Sequence, residues 1–327
     1  MTLRAVAALA LSGRYAVMGR QAAAGLRAWA DARGAALRVE DDRSEPRASA
    51  RLLASLAGGA DIVFGPYGSG PARAVARAMA GRPEVVWNHG GAAVPRAGAR
   101  LVDVLGPAES YWRGLPAALA ALGEDPAAVA VVRCPGGFGA AVAEGARAAL
   151  ASAGHAGAPV LNLDPADPAE GARAARAAGA RRVVGGGRAE DDLALGRALL
   201  ASGLAAGLVV CGVALAADEL GDGVAGWIGP AQWAPGGPAP PVALPAGSDY
   251  PAAQALAAGL LAERAAELAG SLEPDALWDA ARAMRARTFL GPFAVDDEGR
   301  QTAHAPLIVV WRGRGATLRR AVLWRPE

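Results

Sequence analysis

"DIVFGPYGSGPARAVARAMAGRPEVVWNHGG", residues 61–91, holds one full unit of the architecture. "DIVFG" is a short apolar run ended by Gly and Pro, and reads as a buried strand. "GPARAVARAMAGRP" is an Ala/Arg-rich helix with Pro71 near its start and a stop at Gly81. "PEVVWN" is a strand again. Strand, helix and strand in this order make a crossover between parallel neighbours.

The same alternation extends in both directions. Before it come a strand "LRAVAALAL" (3–11), a helix "GRQAAAGLRAWADARG" (19–34), a strand "ALRVEDD" (36–42) and a helix "EPRASARLLASLAGG" (45–59). This is a βαβαβαβ pattern, hence a parallel sheet covered by helices. In such sheets ligands bind outside the carboxyl ends of the strands. After the turn-rich "GPAESYWRG" (106–114) the pattern restarts with "AVAVVRC" (128–134) and the helix "GAAVAEGARAALASAG" (139–154). "APVLNLD", "GARRVVGGG", "AGLVVCG" and "GVAGWIGPAQW" supply four more strands of a second α/β lobe. "APGGPAPPVALPAG" (234–247) is a Pro/Gly linker. Two helices follow, in 249–270 and 273–286, and the economical packing returns them to the first lobe. "FAVDDEGRQTAHAPLIVVWRGRGATLRRAVLW" (293–324) reads as a hairpin turning at "DDEGR", plus a last strand.

The 327 residues exceed one typical core, so two domains are expected. All 33 basic residues are Arg, which removes Schiff-base and P-loop lysine chemistry. The net charge of +2 with interspersed acids gives no nucleic-acid or membrane footprint. Cys134 and Cys211 have neither zinc nor redox spacing and suit small buried thiols, with a disulfide left open. "MTLRAVAALALSGRY" has the look of a signal peptide, yet its apolar run is the candidate first strand.

Chemical motifs fail one by one. "PGGFGAAVAEG" places Val142 where a dinucleotide fingerprint needs its third Gly. Ser69 lies on a strand-to-helix turn, but as Gly-Ser-Gly rather than a nucleophile elbow, and no triad order accompanies it. Ser69 suits an N-cap at a helix start, where free N–H groups attract a carboxylate or another polar group. His89, His155 and His304 form no metal cluster, and the last two suit surface or hairpin positions. Asp41-Asp42, Asp191-Asp192 and Asp296-Asp297 read as solvated turns. Trp227 and Trp233 suit either a core or a ligand wall. No catalytic residue, metal or cofactor is expected.

From end to end the chain resembles the type I periplasmic-binding-protein fold, in the branched-chain amino acid and amide group of ABC-transporter solute-binding proteins. The resemblance is carried, in order, by "LSGRYAVMGRQAAAGLRAW", "VEDDRSEPRASARLLASL", "DIVFGPYGSGPARAVA", "VVWNHGGAA", "PGGFGAAVAEGAR", "GWIGPAQWAPG" and "TFLGPFAVDDEGRQTAHAPLIVVWRGR". It implies an α/β fold of two Rossmann-like lobes with parallel sheets, joined by three hinge crossovers, with a ligand cleft between them. The lobes would be 1–117 plus 246–288, and 118–245 plus 289–327. By the same resemblance the cleft would be lined by Arg14, Tyr15 and Met18 after the first strand, and by Tyr67, Gly68 and Ser69 after the third. Asn88, His89, Gly90 and Gly91 would follow the fourth, Gly90 and Gly91 letting backbone approach the ligand. Phe138, Gly187, Arg188, Asp249 and Tyr250 would complete the set. Amino-acid binders of the group carry Ser or Thr where Gly91 stands, and an acid where this chain has Cys211-Gly212-Val213. A buried ammonium without a carboxylate is costly, so a plain α-amino acid needs Asp249 as substitute.

The implied function is capture of a small amino acid, amide or carboxylate for an ABC importer by hinge closure. A permease would be the partner, and the protein a monomer or weak dimer. It would be periplasmic or lipid-anchored if a signal precedes Met1, and cytoplasmic if Met1 is the native start. The alternatives are a cytosolic amide-type sensor and an enzyme on a Rossmann-like fold.

Overall fold

A computed structural model describes residues 2–326. The chain forms two compact units. The first runs to Pro107 and resumes from Pro238 to His304; the second is Ala108–Gly237 and continues from Ala305. The chain therefore passes between units three times.

In the first unit β1 (Arg4–Leu9), α1 (Ala16–Arg33), β2 (Ala36–Asp41), α2 (Pro46–Leu56), β3 (Ile62–Phe64), α3 (Ser69–Ala78), β4 (Val86–Asn88) and β5 (Leu101–Asp103) follow one another. The strands form a parallel sheet in the order β2-β1-β3-β4-β5. Alternate residues face opposite layers. Val6, Ala8, Val63, Val86 and Leu101 pack with Leu53 of α2 and Val75 of α3.

The second unit opens with α4 (Leu115–Leu122), β6 (Val129–Arg133), α5 (Gly136–Ser152), β7 (Val160–Asn162) and α6 (Pro168–Ala177). It continues with β8 (Arg182–Gly186), α7 (Ala189–Ala201), β9 (Ala205–Leu208), α8 (Leu215–Leu220) and β10 (Ile228–Ala231). The chain then returns to the first unit as α9 (Tyr250–Ala269), α10 (Pro274–Ala283), β11 (Arg285–Thr288) and β12 (Gly291–Ala294). It ends in the second unit with β13 (Leu307–Arg312) and β14 (Arg319–Trp324), giving a seven-stranded sheet ordered β14-β13-β10-β9-β8-β6-β7. Within this sheet only the β10–β13 and β13–β14 pairings are antiparallel.

Helix α9 completes the first unit by lying against α1. Added Cβ atoms would drive Gly25 into the Ala252 backbone and Gly259 into the Trp29 ring, so glycine is what lets the helices approach. Trp29 in turn meets Phe64 of β3 edge-on, with centroids 5.4 Å apart.

Several sequence expectations need correction. Residues 289–304, assigned above to the second lobe, lie in the first unit. The Asp103 amide donates to the Gly299 carbonyl, and Gln301 Nε2 to the Val104 carbonyl, which fastens that segment to the end of β5. The "DDEGR" turn closes on a single antiparallel bridge, Val295–Gln301; the true hairpins are β11–β12 and β13–β14. Strand β9 ends at Leu208, where the chain tightens into a short 3₁₀ turn. Asp42, Asp191 and Asp192 are buried rather than solvated, and so is His304. Trp227 belongs to the core of the second unit beside Gly196. Cys134 and Cys211 are both buried free thiols.

Candidate functional site

The carboxyl edge of the first sheet gathers the loops that follow β1, β3 and β4. The loop after β1 is held from below by Asp41. Its Oδ1 accepts the amides of Leu11 and Ser12 at 3.0 and 3.1 Å, and its Oδ2 accepts the Ser12 hydroxyl. Ser44 Oγ accepts the Tyr15 amide at 3.0 Å. Tyr15 is thereby fixed at the head of α1, with the Arg14 guanidinium 5.0 Å over its ring. Met18 is buried in the first turns of α1.

The loop after β3 brings Tyr67 to Tyr15, ring centroids 6.4 Å apart. Tyr67 also hydrogen-bonds Tyr250, and burial pushes its phenol up to about 12. Gly68 has φ of +101°, a conformation that turns the chain from strand into α3. Tyr250 opens α9, where Asp249 is the N-cap, accepting the Tyr250 amide at 2.8 Å. Gln21 Oε1 accepts the Asp249 amide in turn. Tyr15, Tyr67 and Tyr250 thus form one phenolic cluster, assembled from three separate segments.

Ser69 does not take the N-cap place expected of it. Gly68 is the cap and Ser69 the first helical residue. Its Oγ turns to the neighbouring loop, accepting the amides of Ala92 at 3.3 Å and Ala93 at 3.2 Å.

That loop is built from the stretch after β4. Asn88 is buried and its amide is spent internally: Nδ2 donates to the Gly91 carbonyl and to Asp103 Oδ1, both at 2.7 Å, while Oδ1 accepts the Gly91 amide at 3.1 Å. Asp103 also binds both terminal nitrogens of Arg96. Gly90 and Gly91 also have a reason within the fold to be glycine. A Cβ on Gly90 would sit 2.6 Å from Tyr67 Cα, and one on Gly91 2.5 Å from Ala72 Cβ, so the chain's own atoms claim that space. Gly90 forms a parallel bridge with Tyr67 and accepts the Gly68 amide at 2.9 Å. His89 is fully buried, and neither ring nitrogen makes a hydrogen bond among the described residues. Burial lowers its pKa to about 4, so it is a neutral imidazole at ordinary pH.

The carboxyl edge of the second sheet has its own set. Phe138 lies in the first turn of α5, its ring edge-on to Tyr111 at 5.6 Å. Arg188 caps α7 and forms a two-pronged pair with Asp191, at 2.8 and 3.0 Å. Beside it the buried carboxyl of Asp192 accepts the Gly187 amide at 2.7 Å and the Val210 amide at 2.9 Å. Burial raises that carboxyl to about 7.

The structure therefore brings Tyr15, Tyr67, Ser69, Asn88, His89 and Tyr250 to one edge, and puts Phe138 and Arg188 on the edge of the other unit. Sequence reading missed Arg96 and Asp103. Their signal is faint: a charge ending the three-residue strand β5, and an Arg seven positions before it. Among the described residues no group of His, Cys, Asp or Glu could hold a metal ion.

A family model described as "Periplasmic binding protein" matches residues 2–316. No curated protein sequence is matched. Among solved structures, an R. palustris ABC-transporter solute-binding protein in complex with 4-hydroxybenzoate has TM-score 0.80 at 16% identity, covering 99% of this chain and 96% of that one. An R. palustris relative in complex with benzoate has TM-score 0.74 at 16% identity, covering 99% and 97%. The leucine-binding protein LivK of Thermotoga maritima MSB8 has TM-score 0.79 at 16% identity, covering 99% of both chains. With two doubly wound α/β units, three passages of the chain between them and a family match over nearly its whole length, this chain belongs to the periplasmic binding protein family.

Proposed function

We propose that the protein is the solute-binding component of an ABC-type importer, and that its solute is a small aromatic carboxylate. It works in the periplasm, passes the solute to a membrane permease and does no chemistry on it. The observation that carries the reading is the donor–acceptor balance at the edge of the first sheet. Ser69 Oγ already accepts two amides, so its free valence is the O–H, a donor. The carboxylates nearby are all engaged: Asp41 and Asp103 by the donors described above, Asp249 by the Tyr250 amide. An α-ammonium would have to share a carboxylate that already serves the fold, whereas a carboxylate would meet the Ser69 O–H as a donor. The phenolic cluster supplies ring faces and edges for an aromatic body. Relatives of the same fold bind 4-hydroxybenzoate and benzoate, which agrees with that balance.

Calorimetric titration with 4-hydroxybenzoate, benzoate and L-leucine tests the proposal. Binding of either benzoate with no measurable leucine binding is the expected result. Leucine binding tighter than both would overturn the ligand class. Phe138→Ala and Arg188→Ala, titrated alike, measure the second unit's share in binding. Mass spectrometry before and after prolonged incubation tests for turnover.

A further inference from the structure

The loop after β4 is held by a small set of polar ties, and one of them lies outside the edge it serves. Arg96 is 9% exposed and its guanidinium reaches Asp103 with both terminal nitrogens; its Nε has no partner among the described residues. Asp103 Oδ1 simultaneously receives Asn88 Nδ2, and the same Nδ2 holds the Gly91 carbonyl. Ala97, next in sequence to Arg96, has φ of +50°, in the left-handed region that non-glycine residues rarely occupy. The chain accepts that conformation in the turn through which Arg96 reaches back to β5. Between these fixed ends hang Ala92 and Ala93, whose amides fill the acceptor positions of Ser69.

We infer that Arg96 and Asp103 are positioning residues for ligand choice: by holding the loop 89–95 against Ser69, they restrict the Ser69 hydroxyl to the role of donor. The inference rests on Ser69 touching the ligand, as proposed above. Without the tie, Ala92 and Ala93 withdraw, and the Ser69 hydroxyl turns freely and is no longer held as a donor to the acid. The discrimination between acids and amines then falls.

The test has two arms. In the first, amide hydrogen exchange is followed by NMR in the wild type, Arg96→Ala, Arg96→Lys and Asp103→Asn, with no ligand present. Exchange at Ala92 and Ala93 should quicken at least tenfold in Arg96→Ala and less in Arg96→Lys, while Val86 in the sheet is unchanged. Unaltered rates, or a rise shared equally by Val86, would overturn the proposal. In the second arm, 4-hydroxybenzoate is titrated into a double-mutant cycle. Ser69→Ala should weaken binding more than tenfold in the wild-type background and less than threefold beside Arg96→Ala. Equal penalties in both backgrounds would overturn it. A wild type that binds no 4-hydroxybenzoate removes the ligand class proposed above, and the exchange arm alone then decides the positioning role. Should Arg96→Ala fail to fold, Arg96→Lys and Asp103→Asn carry both arms.

Discussion

At the scale of single residues, the proposed function divides the edge of the first sheet into groups that would face a ligand and groups that hold those groups still. On that proposal Ser69 is of the first kind. Its replacement by Ala removes one hydrogen bond to a charged partner, and such bonds contribute about 1.5–3 kcal/mol, so binding of the acid should weaken about 10- to 100-fold. The melting temperature should barely move, because Ser69 is half-buried and the amides of Ala92 and Ala93 can turn to water. Asn88 belongs to the second kind. Asn88→Ala strips three internal hydrogen bonds from a buried loop and should cost about 2 kcal/mol in denaturant unfolding. From sequence the two looked alike, as polar residues at strand ends. What distinguishes them is where their partners lie, and Asp103 comes fifteen positions after Asn88, beyond any local pattern.

At the scale of elements, short β5 and the loop before it were the least legible parts. Three residues cannot display a period, and the loop's geometry depends on a side chain returning from Arg96. Ala97 marks the strain directly. Ala97→Gly relieves a left-handed alanine and should stabilise the protein by about 0.5–1 kcal/mol, read as a higher melting temperature with ligand affinity unchanged. The long helices were legible because their stops are chemical: Gly34 after α1 and Gly270 after α9 both adopt the left-handed conformation that ends a helix. Their contact was not legible, since glycine in mid-helix reads only as a weak helix former. Gly25→Ala pushes a methyl into the Ala252 backbone, which has nowhere to retreat. It should cost about 2–3 kcal/mol, measurable by urea unfolding.

At the scale of the whole molecule, alternation of strand and helix made two α/β units and a returning C-terminal segment legible, but the point of return depends on hydrogen bonds to Gly299 and Gln301 that no pattern signals. The units also differ in how they titrate. His89 and His304 are buried in the first unit, and burial lowers both to about 4 from 6.5. Their stabilising effect is complete above pH 6.5 and is lost as pH falls through 4. Asp192 in the second unit moves the other way. Burial raises it from 3.8 to about 7, so its contribution is complete below pH 3.8 and is lost as pH rises through 7. Calorimetric scans between pH 7 and 4 should therefore show a loss of stability that His89→Gln with His304→Gln diminishes. Asp192→Asn should remove the opposing gain. Identical pH profiles in all variants would contradict this assignment of charges.

The contact of α1 with α9 has a consequence for how the chain is made. α1 is synthesised early, and α9, whose Gly259 lies against the Trp29 ring, only after most of the second unit. The second unit waits in turn for β13 and β14, which emerge last. The α1–α9 layer of the first unit and the β13–β14 edge of the second close only late in synthesis, and long-range contacts of this kind are formed slowly. The two units thus reach completion together and late, although the strands and helices of residues 6–101 can pack among themselves earlier.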